Sequence, residues 1–532
     1  MQTSSHHLLS VILFTPTVGA AVLFFIPRGS IQVHRLVGNL FGVLGFLVSL
    51  PLFFRFPSGY AGYAFVESHS WIPSLGARYS LGVDGISLLL VMLTTVLSML
   101  AILSSWSAIQ IRAKEHYILL LLLETGVLGA FLSLDLFLFY MFSEIVLVPA
   151  YLLIGVWGTD RRLYAAMKFF LYTLAGSVLM LLSILTLYFN AAKLTGIQTF
   201  DVGTLLAAAE QFPDSLRAWI FWGFFLGSAI RIALVPFHSW LPDAHTDAPT
   251  AASVMLAGIL LKIGAYGFVR FSVPLLPANP QMQFRMIRIL IVLSLIAILY
   301  GATVCLMQKD MKRLIAYSSV SAMGFSTLGV FTLTPTGLSG GVLQLINHGI
   351  STAALFLIVG MLSERRHTRL ISDLGGLATP APNLGAIYLI ATLSSFGMPL
   401  LNGFIGEFAI LQGAFSVNKT WAAWATLGIV LAAAALLWLY QRAMFGPITQ
   451  EINKTLPDLN LREFAMLVPL IALIFWIGIY PRPFFDLINR PVEKIVRQAH
   501  PVFYELSGTS GGDATPDCLA SGVPPAPSAA LN

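Results

Sequence analysis

Four charged side chains stand where a lipid bilayer would forbid them. Glu144 lies near the middle of the apolar run 136–157, Arg231 in the run 218–241, Lys262 at the centre of 250–272, and Glu407 past the midpoint of 384–415. A charge at the bilayer centre costs about 2.5–3.5 kcal/mol on insertion scales unless it meets a polar interior or a partner. Lys262 and Glu407 each carry one exchangeable proton, and neither has an opposite charge one or two turns away on its own run. That pattern points to proton transfer through the membrane rather than to packing. Glu144 and Arg231 read either as a charge switch or as a structural ion pair tying two helices. Secondary candidates are Glu124 and Lys168, close enough to helix ends to snorkel or pair locally. His238, His245 and His348 add groups that titrate near neutrality, and each has a competing reading as a hydrogen-bonded packing residue.

Such residues need helices to hold them at depth, and the composition supplies those helices. Of 532 residues, 57% are apolar and only 10% charged, against about 25% charged in soluble domains. Thirty Lys and Arg with 24 Asp and Glu cannot cover several soluble domains. The net charge of +6 forms no basic stripe, which excludes nucleic-acid binding. Two cysteines, Cys305 and Cys518, make neither a disulfide framework nor a metal quartet.

A span of the roughly 30 Å hydrocarbon core takes about 20 apolar residues. Fourteen runs qualify: 8–26, 33–54, 83–106, 117–134, 136–157, 165–189, 218–241, 250–272, 285–306, 313–333, 340–362, 384–415, 421–445 and 463–480. They are continuous rather than alternating, so the expected fold is an all-α polytopic membrane protein and not a barrel. Lys and Arg favour the loops opposite the termini, which places both termini on the periplasmic or lumenal side. Runs seven and twelve are interrupted, by Pro236 just after Arg231 and by Gly397, Pro399, Asn402 and Gly403 just before Glu407. Each is fourth in a set of five, the pattern of an inverted-repeat transporter with its ion site at the midplane. The expected division is N-terminal helices in 1–116, five-helix repeats in 117–272 and 285–445, a last helix in 463–480, and a tail in 481–532 that is flexible after about 506.

The segments LVPFHSWLPDAHTDAPTAASVMLAGILLKIGAYGFVRF (234–271), KDMKRLIAYSSVSAMGF (309–325), LFLFYMFSEIVLVPAYLLIGVWG (136–158) and NGFIGEF (402–408) resemble the subunit 4 family of proton-pumping NADH:quinone oxidoreductase, complex I. The resemblance covers roughly 80–480 and implies fourteen helices in pseudosymmetric five-helix halves. It implies that Glu144 pairs with the span-seven cation and that Lys262 is the central lysine of a hydrated axis. Glu407 would hand the proton outward, and His238 and His348 would line the axis. It also implies partners: other membrane-arm subunits of a large hetero-oligomer in a bacterial plasma membrane or thylakoid. NAD(P)H or ferredoxin, iron–sulfur clusters and the quinone or plastoquinone would then sit in those partners, with no cofactor on this chain. No dinucleotide fingerprint, P-loop or cysteine cluster is present. Two residues depart from the family pattern. Arg231 stands where Lys is usual, and it stays protonated at ordinary pH. Ala322 stands where many relatives have His. The nearly identical charged constellation of a multisubunit cation/proton antiporter keeps a subunit of such a complex in view as one alternative, and these departures keep in view a second, a specialised carbon dioxide uptake variant in which the chain is mainly scaffold.

Overall fold

Short polar side chains open the helices by meeting the orphan N–H groups of each first turn. In the computed structural model, which describes residues 7–57, 59–448 and 450–499, Asp84 accepts from the N–H groups of Ile86 and Ser87. Asp135 does the same for Phe137 and Leu138, and Thr334 for Gly337. Between these starts, apolar runs extend as helices because hydrocarbon offers the backbone no other hydrogen-bond partner.

In chain order, α1 (Leu8–Phe25) and α2 (Ile31–Arg55) lead to strands β1 (Ala64–Ile72) and β2 (Ala77–Val83). Then come α3 (Gly85–Ala108), α4 (Ala113–Leu132), α5 (Leu136–Ile145), α6 (Leu147–Trp157), α7 (Arg162–Thr195) and the short α8 (Val202–Ala209). α9 (Asp214–Arg231), α10 (Trp240–Asp247), α11 (Thr250–Met255) and α12 (Leu261–Gly267) close the first part. The second part holds α13 (Pro280–Leu306), α14 (Met311–Phe331), α15 (Pro335–Arg366), α16 (Pro382–Ser395), α17 (Asn402–Val417) and α18 (Lys419–Met444). α19 (Leu461–Ile479) and α20 (Arg482–Ala499) end the described chain.

Among the described residues, twelve helical segments are long and apolar enough to cross a membrane, against fourteen runs in the sequence. The two missing from that tally are the interrupted ones. Run 218–241 is split between α9 and α10 by residues 232–239, where Ala233 takes φ 59°. Run 384–415 is split between α16 and α17, with Gly397 at φ 77° and Leu400 at φ 72°. α15 and the segment Thr250–Leu275 are buried throughout their apolar windows, whereas the window of α2 is only 28% buried. The first two are therefore the core of the bundle, and α2 is an outer helix.

One expectation needs correction. The chain is not purely helical: β1 and β2 pair antiparallel, with His69 opposite Tyr79 and Ile72 opposite Ala77. Gly76, at φ 68°, makes their turn, and a Cβ there would lie 1.9 Å from the Gln198 carbonyl oxygen. Residues 482–499, the start of the stretch expected as a tail that is flexible only after about 506, form α20, which buries Phe484, Leu487, Ile488, Val492, Ile495 and Val496 along one face. Its charged residues mask a helical apolar stripe. The tail after 506, including Cys518, lies outside the described residues.

Candidate functional site: a buried polar line

Arg231 ends α9, and its Nη2 lies 2.5 Å from Glu144 Oε1 and 2.8 Å from Ser177 Oγ. Glu144 sits where run five is itself disturbed, between α5 and α6 at Val146. The grip uses one guanidinium nitrogen, and Arg231 Nε is buried with no hydrogen-bond partner. An arginine held through one nitrogen forgoes the parallel two-bond geometry that makes such pairs strongest. The freed end of α9 is secured differently: Trp240 Nε1 donates to the Ile230 carbonyl at 2.9 Å.

Lys262 is completely buried. Its Nζ donates to the Ala257 carbonyl at 2.6 Å and lies 2.7 Å from His348 Nδ1 on α15. That carbonyl belongs to Leu256–Leu260, which wind as a π-helical turn immediately before α12. Such turns loosen the regular ladder and recur at functional sites. Gly264 brings this helix onto α9: a Cβ there would lie 2.8 Å from Ile232 N and 3.1 Å from Arg231 Cβ. The lysine helix and the arginine helix thus touch within two residues of Lys262.

Glu407 on α17 is buried, and its Oε1 accepts from Gln344 Nε2 at 3.2 Å. Asn347 Nδ2 donates to Gln344 Oε1 at 3.4 Å and to the Asn402 carbonyl at 2.8 Å. Ser351 Oγ meets Ser394 Oγ at 2.6 Å. Gln344, Asn347, His348 and Ser351 follow i, i+3, i+4, i+7 spacing, so they share one face of α15. That face joins the contact of Lys262 at His348 to the carboxylate of Glu407.

The remaining candidates occupy separate places. His238 packs against Tyr300 with ring centroids 4.9 Å apart, and its Nδ1 lacks a partner. His245 stacks on Phe356 at 5.0 Å, with both ring nitrogens unpartnered. Lys168 Nζ holds Asp243 Oδ2 on α10 at 2.7 Å, a pairing between two helices rather than a local one. Glu124 is fully buried with neither oxygen bonded, beside Gly45, where a Cβ would sit 3.3 Å from Oε1. Ala322 contributes no titratable group to α14.

Sequence reasoning missed Gln344 and Asn347, whose uncharged amides stand out only by their spacing in an otherwise apolar helix. It also missed Arg270, whose Nη2 pairs with Asp84 Oδ1 in a buried contact. Lys312 was missed as well; it is buried and donates to the Ala248 carbonyl at 2.8 Å. Among the described residues no group of three or more His, Cys, Asp or Glu gathers as a metal site.

The family model described as "NADH:quinone oxidoreductase/Mrp antiporter, TM" matches residues 133–432. NADH-quinone oxidoreductase subunit M of Rhodobacter capsulatus is 42% identical over 522 residues, covering 95% of this chain and 100% of the relative. NADH-ubiquinone oxidoreductase chain 4 of Arabidopsis thaliana is 42% identical, covering 92% and 97%. A chain of respiratory complex I from Thermus thermophilus superposes with a TM-score of 0.83 at 33% identity, covering 92% of this chain and 99% of that one. A chain of the Mrp complex from Dietzia sp. shares the fold, with a TM-score of 0.79 at 21% identity over 97% of this chain and 54% of that one. The chain belongs to the NADH-quinone oxidoreductase subunit M/chain 4 family of antiporter-like membrane-arm subunits.

Proposed function

We propose that this chain carries protons across the membrane along Lys262, His348 and Glu407 as a subunit of a proton-pumping NADH:quinone oxidoreductase, with Glu144 and Arg231 as its charge switch. Redox chemistry, with NADH, iron–sulfur clusters and quinone, belongs to partner subunits. The observation that carries the reading is the 2.7 Å contact between Lys262 Nζ and His348 Nδ1. Two hydrogen-bond patterns fit that contact. In one an ammonium donates to Nδ1; in the other the imidazole N–H donates to the amine lone pair. Passing between them needs one proton to cross a hydrogen bond and no movement of the helices. A proton entering the ring at Nδ1 leaves it from Nε2, which is buried and unpartnered. Onward transfer to Glu407 follows the amide-lined face of α15.

Arg231 keeps its proton, so its contribution is charge and not relay. Opening its single contact with Glu144 changes the field at the neighbouring lysine helix, and a shift of about 1.4 kcal/mol alters a proton affinity tenfold. The finer architecture goes with this reading: fourteen crossings once the interrupted helices are counted, inverted five-helix repeats over 117–272 and 285–445, and termini on the side to which protons are released. His238, Lys168 and Glu124 serve as secondary groups on the entry side and flank.

The test is proton pumping by vesicles carrying the assembled complex with Glu407→Gln. NADH-driven pumping is expected to fall several-fold, while the complex still assembles. Undiminished pumping overturns the reading. The shared fold with the Mrp chain supports a second reading as a cation/proton antiporter subunit; sodium-for-proton exchange without the quinone-reducing partners would favour it.

A further inference from the structure

The loops joining α1 to α2 and α3 to α4 meet the C-terminal half of α6 around a cavity of about 600 Å³. Its rim is basic. Arg112 is exposed and has no acidic partner among the described residues. Lys114 Nζ donates to the carbonyls of Phe24 and Ile26 at 2.7 Å each, which fixes its charge at the end of α1 and leaves a third N–H. Glu115 also lines the cavity, and Arg28 Nη2 holds its carboxylate at 3.2 Å.

The cavity contains the N-terminus of α4, a 20-residue helix whose N-cap, Arg112, supplies no side-chain cap. Uncapped first-turn N–H groups favour an anion. An independent feature points the same way. His34 lines the cavity, is 1% exposed, and its Nε2 has no hydrogen-bond partner. Below the rim the wall turns apolar, through Leu119, Leu152 and Val156, with Trp157 at the level of the loops. Tryptophan at that depth marks the headgroup boundary. The neighbouring helices α1 and α2 are among the least buried, so the cavity opens beside the outer surface of the bundle.

We propose that this cavity binds one anionic phospholipid, its phosphate between Arg112, Lys114 and the α4 N-terminus, and its acyl chains along Leu119, Leu152 and Val156. The apolar wall distinguishes it from a site for a free phosphate ion, which has no use for one. Basic pockets at helix ends in this position suit acidic headgroups.

The experiment uses the purified complex, photoreactive phosphatidylglycerol, and phosphatidylcholine with the same photoreactive chain. Phosphatidylglycerol is expected to label residues 112–119 and 152–157 in preference to phosphatidylcholine. Arg112→Ala is expected to cut that labelling about fivefold, whereas Arg112→Lys retains most of it. Millimolar inorganic phosphate is expected to leave it unchanged. Equal labelling by both lipids overturns the proposal, as does displacement by phosphate, an unaffected Arg112→Ala variant, or crosslinking of these residues to a neighbouring subunit instead of lipid. Should Arg112→Ala fail to assemble, the comparison of the two lipids on the unaltered complex decides alone.

Discussion

Gly397 makes the room in which the Glu407 carboxylate sits: a Cβ at position 397 would lie 2.3 Å from Glu407 Oε2. The same residue holds φ 77°, in the left-handed region. Backbone and carboxylate therefore demand glycine independently, and the interruption between α16 and α17 is part of the acid's pocket.

Gly397→Ala is expected to displace Glu407 and to strain the break, at about 1–3 kcal/mol. Proton pumping should fall several-fold while the assembled complex persists with a lowered melting temperature. Vesicle pumping assays beside thermal unfolding check this. An alanine variant that pumps normally would show that the carboxylate tolerates another position.

Arg231 and Glu144 are expected to be coupled. Removing the guanidinium alone, in Arg231→Gln, leaves Glu144 with a charge and no partner, a loss of about 3–5 kcal/mol for fully buried pairs. Glu144 retains 22% side-chain exposure, so the loss should fall at or below the low end. The double variant Arg231→Gln/Glu144→Gln should recover stability but not pumping. A double-mutant cycle on melting temperature and pumping separates the structural share of the pair from its switching share. Full pumping in the double variant would reduce the pair to a tie between helices.

Asp458, in the loop before α19, sets a pH dependence outside the membrane. Ala381 gives α16 no side-chain cap, and Asp458 replaces it by accepting from the N–H groups of Asn383 and Leu384 at 3.0 Å each. Burial pushes the Asp458 pKa up, but the backbone N–H groups of Asn383, Leu459 and Leu384 outweigh it and hold the carboxyl below the ordinary aspartate value. A carboxylate whose folded pKa is depressed stabilises the fold above its unfolded pKa, about 3.9, and that contribution disappears as pH falls through the folded value. Asp458→Asn should lower the melting temperature at pH 6 and flatten its fall between pH 5 and pH 3. Parallel curves for the two proteins would remove Asp458 from that role.

Charge in apolar surroundings is the most legible signal in this sequence. Glu144, Arg231, Lys262 and Glu407 stand out because the penalty they carry is so large. Pro236 and Gly397 mark the helix breaks for the same kind of reason, since both residues oppose regular α-helix. The amide face of α15 is harder to see, because Gln344 and Asn347 carry no charge and their meaning lies in which helix they touch. The π-helical turn at 256–260 leaves no trace in hydropathy, since every residue in it is apolar and buried either way. The hairpin of β1 and β2 lies between spans, where a search for long apolar runs does not look. α20 escapes such a search because its charges break the run while preserving a one-sided apolar stripe.

The most direct measurement is the number of protons pumped per NADH oxidised by vesicles carrying the assembled complex with Lys262→Met. A methionine fills nearly the same volume but has no proton to give His348. The ratio is expected to drop below that of the unaltered complex while NADH oxidation, carried by other subunits, continues. An unchanged ratio in a fully assembled complex would contradict proton passage through Lys262.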